Sequence, residues 1–177
     1  MLRLSKSDLF ELGNKVLNKD IFVREVTSDD ELQLLAIRND PENYKWFFSN
    51  ALVPLDEHKE WFKERLMHAK FFTLVAEVDN DVIGIAYLSD FSLASPKISI
   101  SVKPGMKGLG VGTKLLQELI VRSRTASINS ILAEIMSSNI ASMKLFSCNG
   151  FVEVSLDSRK FDETQTGGVT LSLNLND

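Results

Sequence analysis

Residues 98–112 constrain this chain more than any other stretch. Ile98-Ser99-Ile100-Ser101-Val102 alternates like a strand, Lys103-Pro104-Gly105 turns, and Gly108-Leu109-Gly110-Val111-Gly112 then sets glycines at every second position ahead of an amphipathic run. Glycines there let the backbone approach a ligand and aim successive N–H groups at one spot. The first turn of a helix leaves four amides without partners, and its dipole favours negative charge. The segment therefore reads as a pyrophosphate cradle, against the plainer reading of a flexible turn. It is not a Walker loop, because Gly112 is followed by Thr113-Lys114 rather than Lys and then Ser or Thr. Nor is it a dinucleotide fingerprint, which follows the first strand of a βαβ unit and needs an acid about 20 residues on. These glycines follow the fourth predicted strand, and Ser127 to Ser130 offer no acid.

The rest of the chain supplies a setting for such a cradle. Its 177 residues are 44% hydrophobic and 25% charged, enough for one sizeable core and ordinary for a globular domain. The longest apolar runs, Leu34 to Ile37 and Ile85 to Leu88, are four residues, so no membrane span is expected. Met1 to Asp8 lacks the apolar stretch of a secretory leader. The single Cys148 excludes an internal disulfide framework and a zinc knuckle, and it fits a cytoplasmic location. Twenty basic against 24 acidic residues give a net charge of −4, which argues against a nucleic-acid partner.

No repeat or linker divides the sequence. Ser7 to Asn18 reads as a helix appended to the domain, giving an extension over 1–20 and a single domain over 21–177. Ile21 to Val26 reads as a strand. Ser28-Asp29-Asp30-Glu31 has the form of a capping box, opening a helix with Leu32, Leu35 and Ala36 inward that stops before Pro41. A second helix is expected over Asp56 to Ala69, with His58 one turn ahead of Phe62 on its apolar stripe. Strands follow at Phe71 to Val78, Val82 to Asp90 and Lys97 to Lys103, the first two joined at Asp79-Asn80-Asp81. Gly108 to Arg124 is the clearest helix, with Val111, Leu115, Leu119 and Ile120 on one face. Ser127 to Met136 reads as a strand, Ile140 to Cys148 as a short helix, and Phe151 to Leu156 and Val169 to Leu175 as closing strands. Hairpins first and helix–strand alternation later suggest a mixed α/β sheet.

Two blocks carry a family resemblance. Lys107-Gly108-Leu109-Gly110-Val111-Gly112 follows Val102-Lys103-Pro104, and Asn139-Ile140-Ala141-Ser142-Met143-Lys144-Leu145-Phe146-Ser147-Cys148-Asn149-Gly150-Phe151 comes later. In this order and spacing they resemble the GNAT superfamily of acetyl-CoA-dependent N-acetyltransferases, over Ile21 to Leu175. The resemblance implies a mostly antiparallel sheet of about seven strands flanked by helices and splayed between the fourth and fifth strands. It implies acetyl-CoA as co-substrate and no metal. Lys107, Gly108, Leu109, Gly110, Val111, Gly112 and Thr113 would hold the pyrophosphate, with the Lys107 cation facing a phosphate. The edge at Ile100, Ser101 and Val102 would pair with the pantetheine arm, and the Val102 N–H would stabilise the developing oxyanion. Asn139 would bond the pantetheine with Ser142 in support, although Asn139 is equally a good helix cap.

Two positions depart from the family pattern. Phe146 stands, at the end of the coenzyme site, where many relatives place a Tyr acid, and Lys97 stands where many place a Glu base. The expectation is catalysis by positioning and oxyanion stabilisation, with modest help from Ser142 and His58. On the acceptor side, Arg38-Asn39 followed by Glu57-His58-Lys59-Glu60-Trp61 resembles branches that acetylate amino sugars on nucleotide carriers, polyamines or protein N-termini. Arg38 would fork onto a phosphate, Tyr44 or Trp46 would stack on a base or sugar, and His58 would accept a proton from the amine. The plainer readings are an ion-pair role for Arg38 and core packing for Trp46, Trp61 and Phe62. The expected partner is a small-molecule amine, first an amino sugar on a nucleotide carrier, with a homodimer left open. The competing class is a non-catalytic acyl-CoA-binding module.

Overall fold

Asp79 (φ 52°) and Asn80 (φ 64°) both adopt the left-handed conformation of a tight hairpin turn, folding β2 (Thr73–Val78) back onto β3 (Asp81–Leu88). This comes from a computed structural model that describes residues 20–49, 51–68, 72–89, 95–157 and 167–176. The helix expected over Ser7 to Asn18 lies outside those residues, as does all but Asp20 of the extension. β1 (Phe22–Glu25) pairs antiparallel with β2, and β4 (Ile98–Val102) with β3, giving the order β1-β2-β3-β4. β5 (Ser130–Met136), β7 (Gly168–Asn174) and β6 (Val152–Asp157) form a second antiparallel sheet in the order β5-β7-β6. A parallel bridge between Lys97 and Leu132 links the two sheets, after which β4 and β5 separate. The expected splay is present.

Helices cover both faces of the first sheet. Ala76 pairs with Gly84 but Glu77 with Val82, so Ile83 is an extra, bulged residue on β3. The bulge reverses the alternation. Ala86 and Leu88 join Leu74 and Ala76 in a core capped by α4 (Val111–Thr125), whose Leu115, Leu116 and Leu119 are fully buried. That core continues into the second sheet through Ile131, Ala133 and Leu171. On the opposite face, Val75, Val82 and Ile85 meet Leu34 and Ile37 of α1 (Glu31–Arg38) and Phe62 of α3 (Leu55–Met67). Burying each such side chain stabilises the fold by about 1.5–3 kcal/mol.

Three local expectations need correction. α1 turns Leu34 and Ile37 inward, while Leu32 is 65% exposed and Ala36 also faces out, because it is the Leu34–Ile37 row that meets Val75, Val82 and Ile85. The reciprocal cap sits one residue earlier than Ser28 and Glu31: the Thr27 N–H donates to Asp30 Oδ2 at 2.7 Å, and a short 3-10 turn spans Ser28–Asp30. Asp30 is buried and held by a fork from Arg24 (2.7 and 2.8 Å). Burial opposes its ionisation, but the bonds from Arg24 and Thr27 prevail and keep its carboxyl below the usual range. Finally, α4 begins at Val111, so Gly108 and Gly110 precede the helix instead of opening it.

Candidate active site

β4 presents a different chemistry in each direction. Ile98, Ile100 and Val102 pack toward the α4 core, while Ser101 on the opposite face lines a cavity beneath α1 and α3. In the backbone, Ser89 N donates to Lys97 O at 2.7 Å and Lys103 N to Ile83 O at 2.9 Å. Odd-numbered residues therefore bond β3, and the peptide groups of Ile100 and Val102 point away from it toward the split. The split is closed at its base, where Leu132 N donates to Pro96 O at 2.9 Å and Lys97 Nζ pairs with Glu134 at 2.6 Å. Lys97 thus ties the sheets together. Beyond it, the edge at Ile100 and Val102 is free of β5 and can accept an extended ligand as an added strand.

The glycines divide their labour. Gly108 and Gly110 both have φ +82°, and a Cβ on either would meet nothing within 4 Å, so the space before them is open. No side chain caps α4, and Lys114 N reaches back to Gly110 O at 3.0 Å. The first-turn amides of Val111, Gly112 and Thr113 therefore stand at the positive end of a 15-residue helix. Gly112 is different: a Cβ there would lie 3.3 Å from Leu145, so its absence lets α5 (Ile140–Ser147) pack closely on α4. Leu109 is half-buried against the core. Lys107, expected at a phosphate, donates through Nζ to the Glu42 carbonyl at 2.9 Å. The ammonium keeps two further donors on an exposed side chain, so this bond and a phosphate contact are compatible.

At the far side of the split, Asn139 caps α5 through Oδ1, which accepts from Ser142 N at 3.1 Å. The capping role is on view, and it holds Ser142 in the first turn. Phe146 is 3% exposed and packs edge-on against Phe151 at 4.9 Å, which makes it a core residue.

The acceptor side is a cavity of about 320 Å³ between α1, α3 and β4. Arg38, Glu57, His58 and Ser101 supply its polar groups, and Leu34, Phe47, Val53, Trp61, Ile85 and Tyr87 its apolar wall. The Arg38 guanidinium lies 3.7 Å over the Phe47 ring, and its Nη2 donates to Ser49 at 3.1 Å. Its Nη1 is buried with no hydrogen-bond partner, and no carboxylate among the described residues pairs with it. Burial holds this group below the usual arginine value, with the Tyr87 phenol acting in the opposite direction. It remains a cation. The ion-pair reading of Arg38 is not what the structure shows.

His58 is buried, stacked on Trp61 (5.5 Å) and Phe62 (5.9 Å), and contacts the Glu31 carbonyl through Nε2 at 2.9 Å. A carbonyl only accepts, so Nε2 carries hydrogen and Nδ1 the lone pair. Burial lowers its pKa, leaving the ring neutral. Tyr44 and Trp46, expected to stack on a substrate, do not line the cavity; Trp46 lies under Lys45 Nζ at 5.4 Å. Phe47, Trp61 and Tyr87 take that place. Sequence reasoning missed Tyr87 because the Ile83 bulge decides which face of β3 it joins. It also missed two asparagines that shape the loop: Asn39 grips both backbone groups of Val53 at 2.8 Å, and Asn43 reaches Ile37 O and Val102 O.

Residues 20–152 match the family model described as an acetyltransferase (GNAT) domain, three-quarters of the chain. An L-methionine sulfoximine/L-methionine sulfone acetyltransferase from Pseudomonas aeruginosa is 28% identical over 135 residues, 73% of this chain and 78% of the relative. The L-amino acid N-acyltransferase MnaT of Escherichia coli is 32% identical over 110 residues, 59% of this chain and 63% of the relative. The Salmonella typhimurium protein yncA, solved with its cofactor acetyl-CoA, shares the fold with a TM-score of 0.80 at 23% identity, covering 90% of this chain and 96% of that one. The open-faced glycine loop, the free strand edge and the uncapped helix suit a ligand with an anionic group and an extended arm. With these matches, the chain belongs to the GNAT family of acetyl-CoA-dependent N-acetyltransferases.

Proposed function

We propose that this enzyme acetylates the primary amine of a small, amino-acid-like molecule carrying a compact anionic group. The carrying observation is Arg38 Nη1, a buried cationic donor without a partner on the wall of the cavity. Buried charges are ordinarily paired, and here an anionic substrate supplies the missing partner. A carboxylate fits a guanidinium fork, and the cavity sits at the small end of the ~300–1,000 Å³ range of ligand pockets. Two relatives whose names specify amino-acid-type substrates support the same class. The expected amino sugar on a nucleotide carrier has no counterpart in those names. A polyamine is disfavoured by placing its cations beside Arg38.

When bound, acetyl-CoA supplies the thioester whose acyl carbon takes the amine nitrogen as its C–S bond gives way. The amides of Gly108 to Thr113 hold the diphosphate, and the edge at Ile100 and Val102 aligns the pantetheine arm. The Val102 N–H stabilises negative charge on the acyl oxygen, a donor fixed before the reaction begins. Asn139 and Ser142 flank the arm from the first turn of α5. Neutral His58 and the Trp61 and Tyr87 rings wall the acceptor, with Nδ1 available to accept a proton. Neither Phe146 nor Lys97 can serve as acid or base in its present packing, so positioning carries most of the rate.

The test is thiol release from acetyl-CoA with a panel of L-amino acids, L-methionine sulfone among them, beside the matching amines without a carboxylate. Turnover of the carboxylated members at least tenfold above their counterparts is expected. Equal rates on both, or turnover of polyamines alone, would contradict the proposal.

A further inference from the structure

We infer that Asn43 is a positioning residue that fixes the acceptor anchor relative to the acyl site. The inference rests on the roles proposed above for Arg38 and Val102. Asn43 lies in α2 (Pro41–Tyr44), a single turn set by Pro41 at its first position and by Asp40, whose Oδ1 accepts from Glu42 N at 2.8 Å. The residue is 5% exposed. Its one NH2 group donates both hydrogens: to Ile37 O at 2.8 Å and to Val102 O at 3.1 Å.

Both carbonyls need an outside donor. Ile37 is in the last turn of α1, where helix carbonyls lack intrahelical partners, and it directly precedes Arg38. Val102 ends β4 with its carbonyl facing the split, away from β3, where β5 has already diverged. One nitrogen serving both holds the two oxygens within about 6 Å of each other. The peptide that leads into the substrate anchor is thereby tied to the residue whose N–H faces the reacting carbonyl. β3 holds the peptides on both sides of Val102, through Ser101 and through Lys103 N to Ile83 O at 2.9 Å, and Asn43 adds a tie from the acceptor side to the Val102 carbonyl. Lys107, bonded to Glu42 O, ties the same turn to the glycine loop. A small misplacement between two reacting groups costs rate far more than binding, so kcat should report the loss of this tie.

The test compares Asn43→Leu, which removes both donors but keeps the branched outline and heavy-atom count, with Asn39→Ala, which loosens the same loop at Val53 without touching Val102. With the best acceptor of the panel, Asn43→Leu should lower kcat about 10- to 100-fold, leaving acetyl-CoA affinity and both KM values within about threefold. Asn39→Ala should instead raise the acceptor KM and change kcat less. The same kinetic pattern in both variants, or an unchanged kcat in folded Asn43→Leu, would overturn the inference. If the wild-type protein turns over no amine, the acceptor assignment fails by itself, and ¹⁵N resonances under acetyl-CoA titration decide on Asn43. The glycine-loop amides should then still respond in Asn43→Leu while the Val102 response is lost. A wild-type Val102 response would overturn it.

Discussion

Replacing Arg38 by Met separates a substrate anchor from a structural cation by the signs of two effects. In the free protein, the substitution removes the stack on Phe47, worth about 0.5–1 kcal/mol, and the bond to Ser49, worth about 0.5–1.5 kcal/mol. It also relieves a buried Nη1 that lacks a partner, a penalty of about 1–3 kcal/mol. These nearly cancel, so urea unfolding should place the variant within about 1 kcal/mol of wild type. Breaking a buried ion pair would cost about 3–5 kcal/mol instead. With substrate, a charge-assisted bond of about 1.5–3 kcal/mol is lost, which lowers kcat/KM about 10- to 150-fold. The assay is thiol release with L-methionine sulfone and with its decarboxylated amine. Arg38→Met should erase the preference for the carboxylated acceptor while barely changing turnover of the other. A variant that keeps the preference, or that unfolds with a loss above 3 kcal/mol, would refute the reasoning.

Gly110→Ala should cost about 1–2 kcal/mol, since φ +82° strains any Cβ although open space surrounds it, and should weaken acetyl-CoA binding in calorimetry. Asp30→Asn should remove about 1.5–3 kcal/mol at neutral pH. Because the Asp30 carboxyl is held low, its contribution is full above the unfolded carboxyl pKa of about 3.9 and fades as pH falls through the folded value; the variant's acid-unfolding curve should therefore converge on wild type at low pH. Phe146→Tyr should not raise kcat more than about threefold and should destabilise by about 1–3 kcal/mol, because the ring is buried against Phe151 and an added hydroxyl must leave water. A large gain in turnover would show that a missing acid limits the reaction.

Much of the donor half could be read from residues alone. Alternation in Ile98 to Val102 and glycines at 108, 110 and 112 are local signals, and local backbone geometry is what they report. The acceptor half resisted because its features join residues distant in sequence. That Arg38 forms no ion pair among the described residues shows only in the folded chain. Tyr87 faces the cavity through a bulge at Ile83 that no pattern announces, and Asn43 meets Val102 across 59 positions. The bond from Lys107 to the Glu42 carbonyl likewise joins residues far apart in sequence. Capping slipped from Ser28 to Thr27 because Arg24, on the strand that leads into the turn, fixes Asp30.

Amide hydrogen exchange with and without acetyl-CoA addresses the donor site most directly. Protection should be confined to two short stretches, the backbone amides of 108–113 and those of Ile100 and Val102, with the far edges of both sheets unaffected. Saturating binding that leaves those amides exchanging at their free rate would place the coenzyme elsewhere and contradict the account.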